Sequence, residues 1–159
     1  MKIKNFDYII PSTDFDIIHR GKTNLNQEVI QSSELIFEGN GIKTRIKFEL
    51  TKDNPIDEID FLFIPETNIL FYRGIIEWSA FDLTKKSIVR NESATQLSCF
   101  ERRNNVIIIY DDLYAESVDL KAKRIDQVPV DPPTESIDYD DRIEFDSLVF
   151  GKQILKLKK

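Results

Sequence analysis

The sequence has few of the side chains that usually bind metal ions or act in acid–base and nucleophilic catalysis. Its 159 residues include one histidine, one cysteine and one methionine. The single cysteine excludes an internal disulfide and favours a reducing compartment. The single histidine excludes a two-histidine mechanism, and together these counts exclude a zinc centre rich in cysteine and histidine. Nucleotide-binding, serine-hydrolase and zinc-protease motifs are also absent. Catalysis would have to depend on carboxylates, alone or with magnesium.

Long hydrophobic runs are missing as well. The longest are about five residues, as in Val106 to Tyr110, whereas a membrane-spanning helix needs about 20. The first seven residues contain no apolar stretch of the kind found in a signal peptide. We therefore expect a cytoplasmic protein without a signal peptide or a membrane partner.

The residues that are abundant favour strands. The chain has 23 isoleucines and 11 phenylalanines but only 4 alanines, and β-branched and aromatic side chains suit a pleated sheet. The chain length favours one domain over residues 1–159. The composition predicts an all-β, antiparallel fold.

One hairpin is visible in the sequence. Hydrophobic side chains alternate with charged ones from Ile42 to Leu50, which predicts a strand with one buried and one solvated face. The run Glu34 to Glu38 precedes it, and Asn40-Gly41 lies between the two. Asn-Gly between hydrophobic runs favours a tight hairpin turn, because both of its central residues need positive φ.

Further hydrophobic runs predict more strands, and one segment is a weak candidate for a helix. The helix candidate is Leu25 to Ser33. The other predicted strands cover residues 59–64, 69–72, 75–83, 87–90, 97–100, 106–110, 114–120, 142–145, 147–150 and 153–157.

The middle of the chain contains an internal similarity at a spacing of 37 residues. Asn68 to Phe71 aligns with Asn105 to Ile108, and Ala80 to Leu83 aligns with Ser117 to Leu120. A third, partial copy is Phe48 to Lys52. Three or four short strands in each copy predict a blade-like repeat region over 33–128. The chain would form an open, partial (half) β-propeller or a twisted β-sandwich, although an ordinary antiparallel meander produces similar spacing.

The segment from Asn68 to Lys86 resembles a β-propeller blade, in which a strand ends in Asp-Leu before a tight turn. The Trp-Asp dipeptide of repeat propellers is absent, since Asp82 follows Phe81 and Asp119 follows Val118. A small acidic protein with a few such blades resembles the immunity proteins of bacterial contact-dependent inhibition and related polymorphic toxin systems. This resemblance implies a cognate toxin, often a nuclease, that is held inactive by the bound protein. It implies no catalytic residue and no cofactor.

Negative charge is concentrated near the end of the chain. Residues 126–146 contain eight carboxylates against one base, Arg142, a local charge of −7 within a net charge of −6. The segment also contains Pro129, Pro132 and Pro133. Because proline cannot donate to a strand ladder, we expect a long exposed loop from Gln127 to Asp141, followed by a strand.

This acidic segment is the candidate partner-binding site. A nuclease active site is basic because it binds phosphates, so carboxylates could occupy the phosphate positions and steer association. Tyr139 would serve as an aromatic anchor. The predicted binding residues are Asp131, Glu135, Asp138, Tyr139, Asp140, Asp141 and Glu144. The alternative is a solvated linker between two strands.

Composition leaves two other classes of function open. A structural or scaffold interaction module would bind a non-toxic partner, whereas a carboxylate-dependent hydrolase or sugar-binding domain would need paired acids in a cleft.

The net charge disfavours nucleic acid as a partner. Asp138 to Asp141 lacks the glycine of a calcium loop, so we expect no metal site there. We also expect His19 to lie at the surface or to be partly buried, and Cys99 to be buried in a strand. Trp78 is expected to lie in the core or to be half-buried, the alternative being an interface anchor.

Overall fold

The computed structural model describes residues 1–22, 28–51, 54–95, 98–131 and 134–158. Within these residues the chain forms fifteen strands in four open sheets, which confirms the all-β prediction. Internal contacts divide the chain into two compact units, Met1–Ser93 and Ala94–Lys159. Each unit is described by itself below, and the single-domain expectation stays a prediction.

The first unit contains two four-stranded sheets. Its strands are β1 (Lys2–Phe6), β2 (Ile17–Arg20), β3 (Val29–Gly39), β4 (Ile42–Thr51), β5 (Phe61–Ile64), β6 (Ile69–Arg73), β7 (Glu77–Asp82) and β8 (Ser87–Ser93). The first sheet has the order β1-β3-β4-β2, and β2 is parallel to β4. The second sheet is an antiparallel meander in the order β5-β6-β7-β8. A short 3-10 turn, Glu58–Asp60, precedes β5.

The Asn-Gly hairpin prediction is confirmed. Asn40 and Gly41 both have positive φ, 53° and 73°, as a type I′ turn requires. The turn joins β3 to β4, and Gly39 pairs with Ile42 directly beside it. Two residues that favour positive φ therefore fix the register of the longest strand pair in this unit.

Hydrophobic side chains from both sheets form the core of the first unit. Phe48 on β4 contacts the ring of Tyr72 on β6, with the ring centroids 4.8 Å apart. Fully burying a side chain of this size stabilises the fold by about 1.5–3 kcal/mol. The core residues are Ile17, Leu35, Phe37, Ile46, Phe48, Leu50, Ile56, Leu70, Tyr72, Phe81 and Leu83.

The predicted solvated face of β4 is only partly solvated. Lys43 is exposed, but Lys47 and Glu49 are buried. The ammonium group of Lys47 donates to Glu49 at 2.8 Å and to the hydroxyl of Ser12 at 2.9 Å. Because these groups satisfy each other, both charged side chains of the pair can lie out of water.

The second unit contains a four-stranded and a three-stranded sheet. Its strands are β9 (Cys99–Arg103), β10 (Val106–Tyr110), β11 (Tyr114–Asp119), β12 (Arg124–Pro129), β13 (Glu135–Asp138), β14 (Arg142–Ser147) and β15 (Gly151–Lys156). The third sheet has the order β12-β11-β10-β9, and the fourth has the order β13-β14-β15. Side chains from both sheets form one core, which is Val106, Ile108, Ala115, Val128, Val130, Ile143, Phe145, Leu155 and Leu157.

The second and third sheets share one plan. Each is a four-stranded antiparallel meander, and the irregularity in strand pairing falls after Ala80 in one and after Ser117 in the other, 37 residues apart. The carboxylates of Asp82 and Asp119 both accept backbone N–H groups of the turn that follows. The third predicted copy, Phe48 to Lys52, differs: Glu49 accepts from Lys47 and Arg20 instead, and Lys52 lies outside the described residues.

Several other predictions are wrong. Residues 29–33 of the helix candidate belong to β3, and residues 25–27 lie outside the described part of the chain. Residues 148–150 form the turn between β14 and β15 rather than a strand. The loop expected from Gln127 to Asp141 contains the end of β12 and all of β13, because β14 supplies β13 with a pairing partner. Residues 132 and 133 of that expected loop lie outside the described part of the chain.

Two single-residue expectations are also corrected, and a third is confirmed. Cys99 lies in a strand as expected but is exposed. His19 is fully buried rather than at the surface or partly buried, and Trp78 is buried as predicted.

Within the described ranges, no helix is long and apolar enough to cross a membrane.

Candidate functional site

The fourth sheet has one face that points away from the core of its unit. On β14, Ile143 and Phe145 are buried in that core, so the alternate side chains Glu144 and Asp146 point outward. Strand register adds the outward residues of the neighbouring strands, since cross-strand partners lie on the same face. The outer face consists of Glu135, Ile137, Arg142, Glu144, Asp146, Lys152, Ile154 and Lys156.

Two exposed isoleucines lie at the middle of the outer face. Ile137 and Ile154 are 59% and 51% exposed, and each is the cross-strand partner of Glu144. They line a shallow depression of about 150 Å³. The centre of this face is therefore apolar, with a carboxylate between the two aliphatic side chains.

The next row of the outer face is acidic. Glu135 and Asp146 are cross-strand partners, and Lys152 pairs with Asp146 on the other side. Within the described residues, neither carboxylate makes a side-chain hydrogen bond or an ion pair. Glu135 and Asp146 are also both exposed, so their charge is available to a partner.

Arg142 brings three of the predicted binding residues together. Its Nε donates to Glu144 at 2.8 Å and its Nη1 to Asp141 at 3.2 Å. The guanidinium group lies over the ring of Tyr139, 4.0 Å from the ring centroid, which is a cation–π contact. The hydrogen bond to Glu144 raises the pKa of Arg142. A guanidinium group is always charged in proteins, so this base offsets part of the local negative charge.

A second arginine neutralises Asp138. Arg103, at the end of β9, lies 3.0 Å from Asp138 and 2.6 Å from Glu101. The hydrogen bond from Arg103 lowers the pKa of Glu101 against the opposing effect of burial. Arg102 and Arg103 also line an open cleft of about 1050 Å³, together with Asp138, Tyr139 and Asp140. This arginine pair was not among the predicted binding residues.

The two remaining predicted binding residues, Asp140 and Asp131, lie in different parts of the second unit. Asp140 is exposed in the turn between β13 and β14 and makes no side-chain hydrogen bond or ion pair within the described residues. Asp131 is half-buried and accepts hydrogen bonds from the hydroxyl of Ser147 and from the backbone N–H of Val149. Asp131 therefore holds the turn between β14 and β15.

Three residues of this surface were not among the predicted binding residues, namely Ile137, Ile154 and Asp146. One signal for them was present, because Ile143 to Asp146 alternates hydrophobic and acidic residues. The assignment of residues 147–150 to a strand hid the turn that follows. Within the described residues, no group of three or more histidine, cysteine or carboxylate side chains is placed to hold a metal ion.

Comparison with known proteins adds no further assignment. No protein-family model matches the chain, and no curated protein sequence matches it significantly.

Proposed function

We propose that this protein is an immunity protein that neutralises a cognate toxin by stoichiometric binding, using the outer face of the fourth sheet. The observation that carries the proposal is the pair of exposed isoleucines, Ile137 and Ile154, beside the two carboxylates of Glu135 and Asp146 that have no ion pair within the described residues. An apolar centre with a charged border is typical of a protein interface. The free carboxylates favour a basic partner.

The chemistry of a nuclease fits this surface. A nuclease binds phosphates with basic side chains, and carboxylates on a sheet face can occupy the same positions. Complementary charge raises the association rate and makes it depend on salt. The proposed toxin is a ribonuclease or other nuclease domain that meets its inhibitor in the cytoplasm. Inhibition by occlusion needs no chemistry from the inhibitor, so we propose no catalytic residue.

The first experiment is a co-purification from the native host, with the tagged protein as bait and mass spectrometry as the readout. We expect one small basic domain at a ratio of one to one. Expressed without the bait, that domain should be lethal, and co-expression of the bait should restore growth. Recovery of a large non-toxic assembly would overturn the immunity proposal in favour of a scaffold module.

Charge-reversal variants test whether the outer face makes the contact. The test variant combines Glu135→Lys with Asp146→Lys, and we expect its association rate with the co-purified domain to fall about tenfold or more at low salt. The matched control combines Asp7→Lys with Glu28→Lys, two exposed acids of the first unit that give the same change in net charge. Thermal unfolding should show that both variants remain folded. Equal association rates for the two variants would exclude the outer face as the contact.

A further inference from the structure

The turn between β14 and β15 carries three consecutive hydrophobic side chains in solvent. Leu148, Val149 and Phe150 are 81%, 72% and 45% exposed. Turns are normally polar, and an exposed run of this length has a cost that a functional contact can offset. The turn is therefore a candidate for contact with another molecule.

The backbone of this turn is held in place by hydrogen bonds. Asp131 accepts from the N–H of Val149 at 3.3 Å, and the hydroxyl of Ser147 accepts from the N–H of Phe150 at 2.9 Å. The amide of Gln153 donates to the carbonyl of Phe150 at 2.7 Å. Gly151 closes the turn with a φ of 68°, where a side chain would be strained. A turn fixed in this way loses little conformational freedom on binding.

The turn is continuous with the acidic row of the outer face. Ser147 pairs with Gly151 at its base, and Asp146 pairs with Glu135 and Lys152 in the next row. A binding partner that covers the turn would therefore also meet the free carboxylates of Glu135 and Asp146. The chemistry that fits both features is an apolar pocket bordered by lysine or arginine.

We propose that Leu148, Val149 and Phe150 form an apolar anchor that inserts into such a pocket on the partner protein. This inference rests on the proposed function. It adds the residues that supply most of the affinity for the partner protein. A second copy of the chain is a poorer occupant, because pairing two such turns would place Glu135 and Asp146 near their own copies. An anionic membrane surface is poorer for the same reason, since the neighbouring carboxylates would be repelled.

The contact is tested with a photo-crosslinking amino acid at position 148 in host cells. The control carries the same group at position 113, because Leu113 is an exposed leucine of the same unit, 62% exposed. We expect position 148, and not position 113, to crosslink a single basic protein. A crosslink to a second copy of the chain, a crosslink to lipid, or no crosslink would overturn the proposal.

The captured protein is then purified and its affinity measured against two matched variants. Leu148→Ser should raise the dissociation constant about 30-fold or more, the effect expected of an interface hot spot. Leu113→Ser should leave it within about threefold. Because both leucines are exposed, both variants should fold, and thermal unfolding checks this.

The proposed binding face and the proposed anchor are contradicted by different results. If Leu148→Ser binds like the wild type while the Glu135→Lys, Asp146→Lys variant is weakened, the anchor is wrong and the binding face stands. If both variants bind like the wild type, the outer face and the anchor are both wrong. If the anchor variant alone is weakened, the turn binds as proposed and the steering role of the carboxylates is wrong.

Discussion

The Nε2 atom of His19 lies 3.1 Å from Oε1 of Glu77, and both side chains are buried in the first unit. The rings of Phe48, Tyr72 and Phe81 meet the imidazole edge-on, with ring centroids 5.4–5.6 Å away. The described residues offer no hydrogen-bond partner to Nδ1 of His19 or to Oε2 of Glu77. Each of these two side chains is therefore the main polar partner of the other.

This pairing predicts strong coupling between the two residues. His19→Phe or Glu77→Leu alone leaves a buried polar group without its partner, which costs about 1–3 kcal/mol. The double variant removes both groups and should be less destabilised than the sum of the single variants by about 0.5–3 kcal/mol. Urea unfolding of the four proteins measures this coupling. Additive losses would show that the contact contributes nothing to stability.

How far the sequence predicts the fold depends on how local the interactions are. The β3–β4 hairpin was predictable because Asn40-Gly41 and the alternation after Ile42 act over a few residues. The burial of Lys47 was not, because it depends on Ser12, which lies 35 residues away. His19 is a similar case, since its partner Glu77 is 58 residues away.

The sequence predicted most of the acidic residues that the candidate site contains, but not how strand pairing and ion pairs arrange them. The acidic segment was visible, but β13 was not, because Glu135–Asp138 contains a single hydrophobic residue and forms a strand by pairing with β14. The sequence also does not show which carboxylates meet a base. Arg103 donates to Asp138, which lies 35 residues further along the sequence. Part of the apparent negative charge is therefore neutralised within the fold.

The turn after β7 makes the stability depend on pH. Burial raises the pKa of Asp82, but hydrogen bonds from Lys85 and Thr84 outweigh burial and hold that pKa below its usual value. A lowered pKa stabilises the fold above the unfolded-state pKa of about 3.9, and this contribution is lost as pH falls through the folded-state value. Asp82→Asn should therefore be less stable than the wild type at pH 6, with a gap that shrinks below about pH 4. Urea unfolding as a function of pH measures the gap, and a gap that did not change with pH would contradict the prediction.

The β3–β4 turn predicts different outcomes at two neighbouring glycines. Gly41 has a φ of 73°, so Gly41→Ala should destabilise the protein by about 1–2 kcal/mol, the usual cost of a left-handed non-glycine residue. A Cβ on Gly39 would meet only the ring of Phe37, at an ordinary 3.5 Å. Gly39→Ala should be neutral or slightly stabilising, because alanine restricts the unfolded chain. Thermal unfolding compares the two, and equal effects would be evidence against the observed turn.

The register of β13 makes a prediction about two adjacent proline substitutions. The N–H of Tyr139 donates to the carbonyl of Arg142 at 2.9 Å. Because hydrogen-bonded and non-hydrogen-bonded pairs alternate in an antiparallel ladder, the N–H of Ile137 points toward β14 and that of Ser136 points away. In the described part of the chain, β13 is an edge strand of its sheet.

Proline at position 136 should therefore be tolerated, since edge strands accept proline where the N–H faces solvent. Ile137→Pro should cost about 1–3 kcal/mol more, because it leaves a carbonyl of β14 without its donor. Ile137→Ala controls for loss of the side chain, and chemical unfolding of all three variants gives the comparison. If Ser136→Pro were the more destabilised variant, the strand would be shifted by one residue, and Ile137 would leave the outer face on which the proposed binding surface depends.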